Sequence, residues 1–193
     1  MEKSMITSHR HKFIFIKTRK TAGSTLESIL FPYLGEDDIC TGSAFDGTPS
    51  LNLQLGTSGH KVPEILDNYF VFSIERNPWD KVVSSYYWTK HTKPNFSNVS
   101  FEEYILNSKD KLPRDWNKYQ NCNKVYRYEE MLYMYKDLSE RFGLDIDLEI
   151  IKTTKKKSGI RKIKNYKEVH TTKTKKAVEE LFSKEIALFG YKY

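Results

Sequence analysis

Residues 13–27, FIFIKTRKTAGSTLE, limit the possible folds more than any other stretch of this 193-residue chain. Phe13-Ile14-Phe15-Ile16 is an aromatic and β-branched run of strand length, and it gives way at once to polar, glycine-containing sequence. Beyond that loop Leu26, Ile29 and Leu30 recur at helical spacing, with Ser24 or Thr25 available to cap the first turn and Pro32 to end the helix. A strand, a loop and a helix in this order bring unbonded backbone N–H groups and the positive end of a helix dipole to one point. Lys20 and the small or hydroxylated run Thr21-Ala22-Gly23-Ser24-Thr25 stand at that point, so the stretch reads as an anion-binding turn. It is not a Walker A loop, GxxxxGK[ST], because here the lysine precedes the glycine. The plainer reading of the same residues is a βα turn whose lysine is simply solvated.

The length suits one domain with a substantial core, for which 13 Tyr and 11 Phe supply bulk. No apolar run approaches the length of a membrane span and the N-terminus lacks a signal-like apolar segment, so a soluble, cytoplasmic protein is expected. Cys40 and Cys122 form no CxxC pair, which argues against a disulfide scaffold or a cysteine metal site; both read as reduced structural thiols. The net charge of +7 is concentrated: residues 152–176 hold 11 Lys and Arg against one acid, Glu168, while the rest has 21 bases to 24 acids. Such a segment suits an anionic polysaccharide, a phosphorylated cofactor or a solvated face. Without interleaved arginines and aromatics it is a poor nucleic-acid platform, and no nucleic-acid partner is expected.

Along the chain, Met1 to Lys12 is polar and reads as frayed, with His9-Arg10-His11-Lys12 placed to line the edge of the first strand. Gly35 to Gly59 has little periodicity and reads as a long surface excursion, closed by His60 to Pro63 and a short helix through Ile65 and Leu66. Tyr69 to Ile74 is the second clear strand, and it runs into Arg76, where Asn77 is a good N-cap and Pro78 a good first helical residue. Val82, Val83, Tyr86 and Tyr87 form the buried stripe of that helix and leave Ser84 on another face. Arg76 and Ser84 can therefore converge near the carboxyl edge of a sheet, where open α/β folds bind ligands. Ser100 and Glu103 predict a capping box. Asn123 to Tyr128 predicts a weaker strand, followed by a helix facing inward through Leu132, Tyr135, Leu138 and Phe142 until Gly143. A final helix with Val178, Leu181, Phe182, Ile186 and Phe189 on one side is expected to dock on the sheet. Alternating strands and helices predict one α/β domain over residues 1–193, a mostly parallel central sheet flanked by helices.

Two segments, Lys20-Thr21-Ala22-Gly23-Ser24-Thr25 and Arg76-Asn77-Pro78-Trp79-Asp80-Lys81-Val82-Val83-Ser84-Ser85-Tyr86-Tyr87, together resemble the nucleotide-binding signatures of sulfotransferases that use 3′-phosphoadenosine 5′-phosphosulfate (PAPS). The first is similar to that family's 5′-phosphosulfate loop, which makes the fold expected of it P-loop-like. The second is similar to its 3′-phosphate motif, an arginine followed eight residues later by a serine. Tyr166 to Tyr193 also resembles the C-terminus of small bacterial-type members. The resemblance leaves out Gly35 to Gly59 and Asn107 to Asn121. It departs from the family at Arg19, where members often carry proline, and in lacking an RKG-type C-terminal nucleotide contact. Lys156, Lys157, Ser158 and Arg161 are the residues placed to replace that contact.

The resemblance implies PAPS as donor, its desulfated product PAP, an acceptor hydroxyl on a carbohydrate or small metabolite, and no metal. Sulfuryl transfer needs charge neutralisation at the departing bridge oxygen and a base for the acceptor proton. Lys20 suits the first task. The backbone of Ala22, Gly23, Ser24 and Thr25 with the hydroxyls of Thr21, Ser24 and Thr25 suits the 5′-phosphate, with Arg19 an added cation beside it. Arg76 offers a guanidinium fork and Ser84 a hydroxyl to the 3′-phosphate. His60, between the two signatures, is the expected base, with Glu75 and Glu129 as less favoured choices. Trp79, Tyr86, Tyr87 and His170 read as structural. Two other classes stay open: a P-loop-like small-molecule or nucleotide kinase, and a non-catalytic protein binding nucleotides or anionic polymers.

Overall fold

Alternation along Phe13–Ile16 divides four buried side chains between the two faces of a sheet. The structure, a computed structural model, describes residues 5–40, 68–149, 159–161 and 163–193. These residues fall into two compact units, one drawn from 1–75 and 117–156 and the other from 76–116 and 157–193.

The first unit holds a five-stranded sheet, β1 (Met5–Ser8), β2 (Phe13–Ile16), β3 (Ile39–Cys40), β4 (Phe70–Glu75) and β5 (Lys124–Arg127), in the order β3-β1-β2-β4-β5. Phe15 pairs with Phe72 in the parallel β2–β4 ladder, and β4 pairs with β5 in parallel as well. The β1–β2 and β1–β3 ladders are antiparallel, so the α/β sheet is mixed where the sequence suggested a mostly parallel one. The difference lies in β1. Met1 to Lys12 read as frayed, yet all of Met5–Ser8 is buried, because β1 is bonded on both edges. Its sequence, MITS, carries two strong apolar residues and hides the signal. Part of the expected surface excursion is likewise interior: Ile39–Cys40 is β3, and the buried Asp38 carboxylate accepts from Ser8 Oγ, the His9 and Arg10 backbone N–H groups and Gly35 N. Residues 41–67, including the helix expected through Ile65 and Leu66, lie outside the described residues.

Phe13, Phe15, Phe72, Ile74 and Tyr126 share one face of the sheet with Leu26, Ile29 and Leu30 of α1 (Gly23–Leu30) and Met134, Tyr135 and Leu138 of a later helix, Met131–Phe142. The phenyl rings pack at centroid distances of 5.3 Å for Phe15–Phe72 and 5.8 Å for Phe13–Phe72. Each fully buried ring contributes about 1.5–3 kcal/mol, so this layer fixes the end of β2 from which the loop departs. Gly143 ends the later helix at φ 64°, as its position predicts.

The second unit is helical, with α2 (Pro78–Thr92), α3 (Phe101–Asn107) and two C-terminal helices; α4 (Trp116–Tyr119) spans the division between the units, and Met131–Phe142 is α5. Asn77 Oδ1 accepts from Trp79 N with Pro78 at the first helical position, and Ser100 with Glu103 forms the expected capping box. The single final helix of the sequence reading is two, α6 (Thr172–Leu181) and α7 (Ser183–Phe189), broken at Phe182 (φ −112°, ψ 22°). The sequence reading has its apolar side dock on the sheet. Val178 and Phe182 belong instead to a helical core with Trp79, Val82, Val83, Phe101 and Tyr104. His170 joins this core as a neutral ring: burial pushes its pKa down, Nε2 donates to Trp79 O at 3.0 Å, and Thr174 Oγ1 lies 3.2 Å from Nδ1. No helix of the described residues is long and apolar enough to cross a membrane.

Candidate functional site

In the first unit, β2 ends at Ile16 and the chain reaches α1 through residues 17–22, two of which adopt the left-handed region without being glycine: Lys20 at φ 64° and Ala22 at φ 60°. Each such residue costs on the order of 1 kcal/mol and persists only where its surroundings dictate it. Thr18 supplies part of that dictation. Its hydroxyl donates to Ile74 O at the end of β4 and lies 2.9 Å from the hydroxyl of Thr21, which in turn reaches Thr18 O at 3.2 Å. Lys17 adds to it, since its ammonium lies 2.6 Å from the fully buried Glu27 carboxylate on α1 while Lys118 Nζ donates to Lys17 O at 3.0 Å.

This geometry refines the expected roles. α1 begins at Gly23 with Ala22 as N-cap and no side-chain cap, where Ser24 or Thr25 was expected to cap it. Ala22 O accepts from Thr25 N and Leu26 N. Thr21 is fully buried and its hydroxyl is bonded within the loop, so what it offers an anion is the shape of the backbone. Arg19, Lys20 and Ser24 are half-buried, and Thr25 is 8% exposed. Uncapped N–H groups at the start of a helix, preceded by left-handed residues, form a concavity suited to phosphate or sulfate oxygens.

In the second unit Arg76 and Arg161 meet on one carboxylate. Arg76 donates from Nε at 2.7 Å to Asp80 Oδ2, with Nη2 at 2.6 Å, and Arg161 Nη1 is bonded to Asp80 Oδ1. Arg161 also donates to the carbonyls of Ile163 and Lys164. Residues 76, 80 and 84 are spaced by four, so Ser84 follows Asp80 on the same stripe of α2, half-buried. Sequence reasoning gave Asp80 no role, although its i,i+4 spacing from Arg76 was a usable signal. Lys17, Glu27 and Lys118 were also missed; Lys17 opens the loop, and only the third dimension brings Glu27 and Lys118 to it.

Glu75 is fully buried at the end of β4 and accepts from the Tyr119 hydroxyl, while Glu129 is exposed. Trp79 is core, its indole N–H donating to Lys175 O at 3.1 Å, and Tyr86 is core as well. Burial raises the Cys122 thiol pKa to about 11, which keeps it protonated. His60, Lys156, Lys157 and Ser158 lie outside the described residues. Among the described residues no group of three or more His, Cys, Asp or Glu side chains is arranged to hold a metal ion.

A model of the sulfotransferase family matches residues 3–192. The chain belongs to the sulfotransferase family. It is also similar to an uncharacterized protein of Archaeoglobus fulgidus, with 31% identity over 108 residues that cover 52% of this chain and 89% of that protein. No solved structure matches it. Both signature segments lie within the sulfotransferase match, which covers β2, α1, β4 and α2 alike.

Proposed function

We propose that this sulfotransferase uses PAPS as donor and moves its sulfuryl group in line to a hydroxyl of a carbohydrate or small metabolite, with residues 1–193 working as one domain. The observation that carries the reading is the pair of left-handed residues, Lys20 and Ala22, held by side-chain bonds directly ahead of an uncapped helix. That strain suits a loop built around an anion. Arg76, Ser84 and Arg161 support the second half of the reading, since two guanidiniums gathered on Asp80, with Ser84 on the same stripe of α2, suit a phosphate dianion.

In this mechanism Lys20 neutralises charge on the bridging oxygen as its bond to sulfur breaks and the acceptor oxygen bonds to sulfur from the opposite side. The backbone N–H groups of Ala22, Gly23 and Ser24, with the Ser24 and Thr25 hydroxyls and Arg19, hold the 5′-phosphate; Thr21 keeps the loop in shape, and Thr25 N is bonded to Ala22 O. Arg76, Ser84, Arg161, Lys156, Lys157 and Ser158 take the 3′-phosphate and the surrounding nucleotide. His60 accepts the acceptor proton, and PAP and the sulfate ester leave. The donor is a substrate and the residues assigned to it require no metal.

The test is a screen at saturating PAPS across sugars, phenols and amines, reading PAP release. PAP release dependent on a hydroxylated acceptor is expected. Turnover with amines alone would overturn the acceptor assignment, and no turnover with any acceptor, together with hydrolysis of ATP, would overturn the donor. His60→Ala should lower turnover more than donor affinity; unchanged turnover would move the base elsewhere.

A further inference from the structure

We propose that Asp80 is a positioning residue that sets the preference for a 3′-phosphorylated nucleotide by holding Arg76 and Arg161 as a single fork. The proposal deepens the donor reading above and rests on it. Its ground is the division of labour on the Asp80 carboxylate: one oxygen takes Nε and Nη2 of Arg76, and the other takes Nη1 of Arg161, a residue 81 positions further along the chain. All three side chains are largely buried, at 10%, 16% and 20% exposure for Arg76, Asp80 and Arg161.

Two guanidiniums brought this close repel each other unless an anion lies between them. Asp80 is that anion. It sits in the first turn of α2, where the helix dipole favours a carboxylate, and it leaves the group of three with a net charge of +1. Arg161 is further fixed by the Ile163 and Lys164 carbonyls, so three of its five N–H donors are used in setting its plane. Tyr87, three residues beyond Ser84, is close enough to Arg161 for the guanidinium to oppose the upward shift that burial gives its phenol. Arg161 therefore reaches the stripe of α2 that carries Asp80, Ser84 and Tyr87, and a 3′-phosphate bound at Ser84 would meet a fork already aimed.

An asparagine at position 80 keeps the size of the side chain but offers one acceptor and one donor, so it satisfies one arginine and faces the other with an N–H2 group. Position 80 makes no contact with the 5′-phosphate in this account, so the loss should fall on nucleotides that carry a 3′-phosphate. The experiment is calorimetric titration of wild type, Asp80→Asn, Asp80→Glu, Arg161→Gln and Asp80→Asn/Arg161→Gln with PAP and with AMP, below the melting temperature of each. Wild type should prefer PAP. Asp80→Asn should weaken PAP at least about tenfold with AMP held within about twofold, and Asp80→Glu should recover most of the preference. Asp80→Asn added to Arg161→Gln should cost less than Asp80→Asn costs in wild type, the remainder falling on Arg76, because Asp80 acts through both arginines.

Unchanged or tighter PAP binding in Asp80→Asn would overturn the proposal, as would equal losses for PAP and AMP, no recovery in Asp80→Glu, or additive losses in the double variant. If Asp80→Asn does not fold, Arg161→Gln and Asp80→Glu still decide it: a wild-type PAP preference in Arg161→Gln contradicts the fork. A wild type indifferent between PAP and AMP would overturn the donor reading itself, an outcome distinct from the others.

Discussion

The aliphatic stem of Lys17 fills the space that a side chain on Gly23 would need: a β-carbon built at Gly23 lies 2.6 Å from Lys17 Cγ. Cγ is close to the backbone and cannot swing away as the ammonium could, so the contact ties the first residue of α1 to the end of β2. The ammonium completes the tie on Glu27, one turn further along the helix. Alanine at a helical position ordinarily stabilises by up to about 1 kcal/mol relative to glycine. Here Gly23→Ala should destabilise by about 1–3 kcal/mol through overpacking. Lys17→Ala/Gly23→Ala should regain the clash term, though not the lost ion pair. Denaturant unfolding of the two single variants and the double variant checks this, and a stabilised Gly23→Ala would refute it.

Lys81 and Asp115 form an ion pair at 3.1 Å with both side chains almost fully buried in the second unit. Removing one partner strands a charge in a low-dielectric interior, whereas removing both can cost little. Lys81→Met should therefore lower stability by about 3–5 kcal/mol, and Lys81→Met/Asp115→Leu should recover much of that loss. Chemical denaturation of both variants is the check; a double variant no better than Lys81→Met would contradict the pairing.

His170 gives the second unit a pH dependence whose sign follows from burial. Its pKa is lowered in the folded protein, so below the unfolded value of about 6.5 the unfolded chain binds the proton more readily. Stability contributed by the neutral ring is present above about pH 6.5 and is lost as pH falls toward the folded pKa, with a slope of at most about 1.4 kcal/mol per pH unit from this residue. Thermal melts between pH 5 and 8 should show that decline, and His170→Gln should flatten it. An identical pH profile in the variant would remove His170 from the account.

The strand–loop–helix of residues 13–30 was legible in the sequence because period and turn chemistry agree there, although its cap fell at Ala22 and not at Ser24 or Thr25; the Asn77 cap and the Ser100–Glu103 capping box were legible as well. β1 was not legible, because a four-residue strand with two polar members becomes buried only through neighbours on both sides. The break at Phe182 was hidden for a similar reason, since the apolar stripe continues across it at helical spacing. At the site, the loop and Arg76 could be named from local sequence. The Asp80–Arg161 bond joins residues 81 positions apart, and the Lys17–Gly23–Glu27 contact depends on the close approach of a lysine stem, so neither has a local signature.

Two cations are proposed to divide the donor between them, Lys20 serving the reacting end and Arg76 the 3′-phosphate. Titration calorimetry with PAP on wild type, Lys20→Ala and Arg76→Ala tests this division most directly, with turnover measured on the same preparations. Arg76→Ala should weaken PAP binding by about 2–5 kcal/mol. Lys20→Ala should keep much of the PAP affinity while losing nearly all transfer. Equal PAP affinity in wild type and Arg76→Ala would contradict the account.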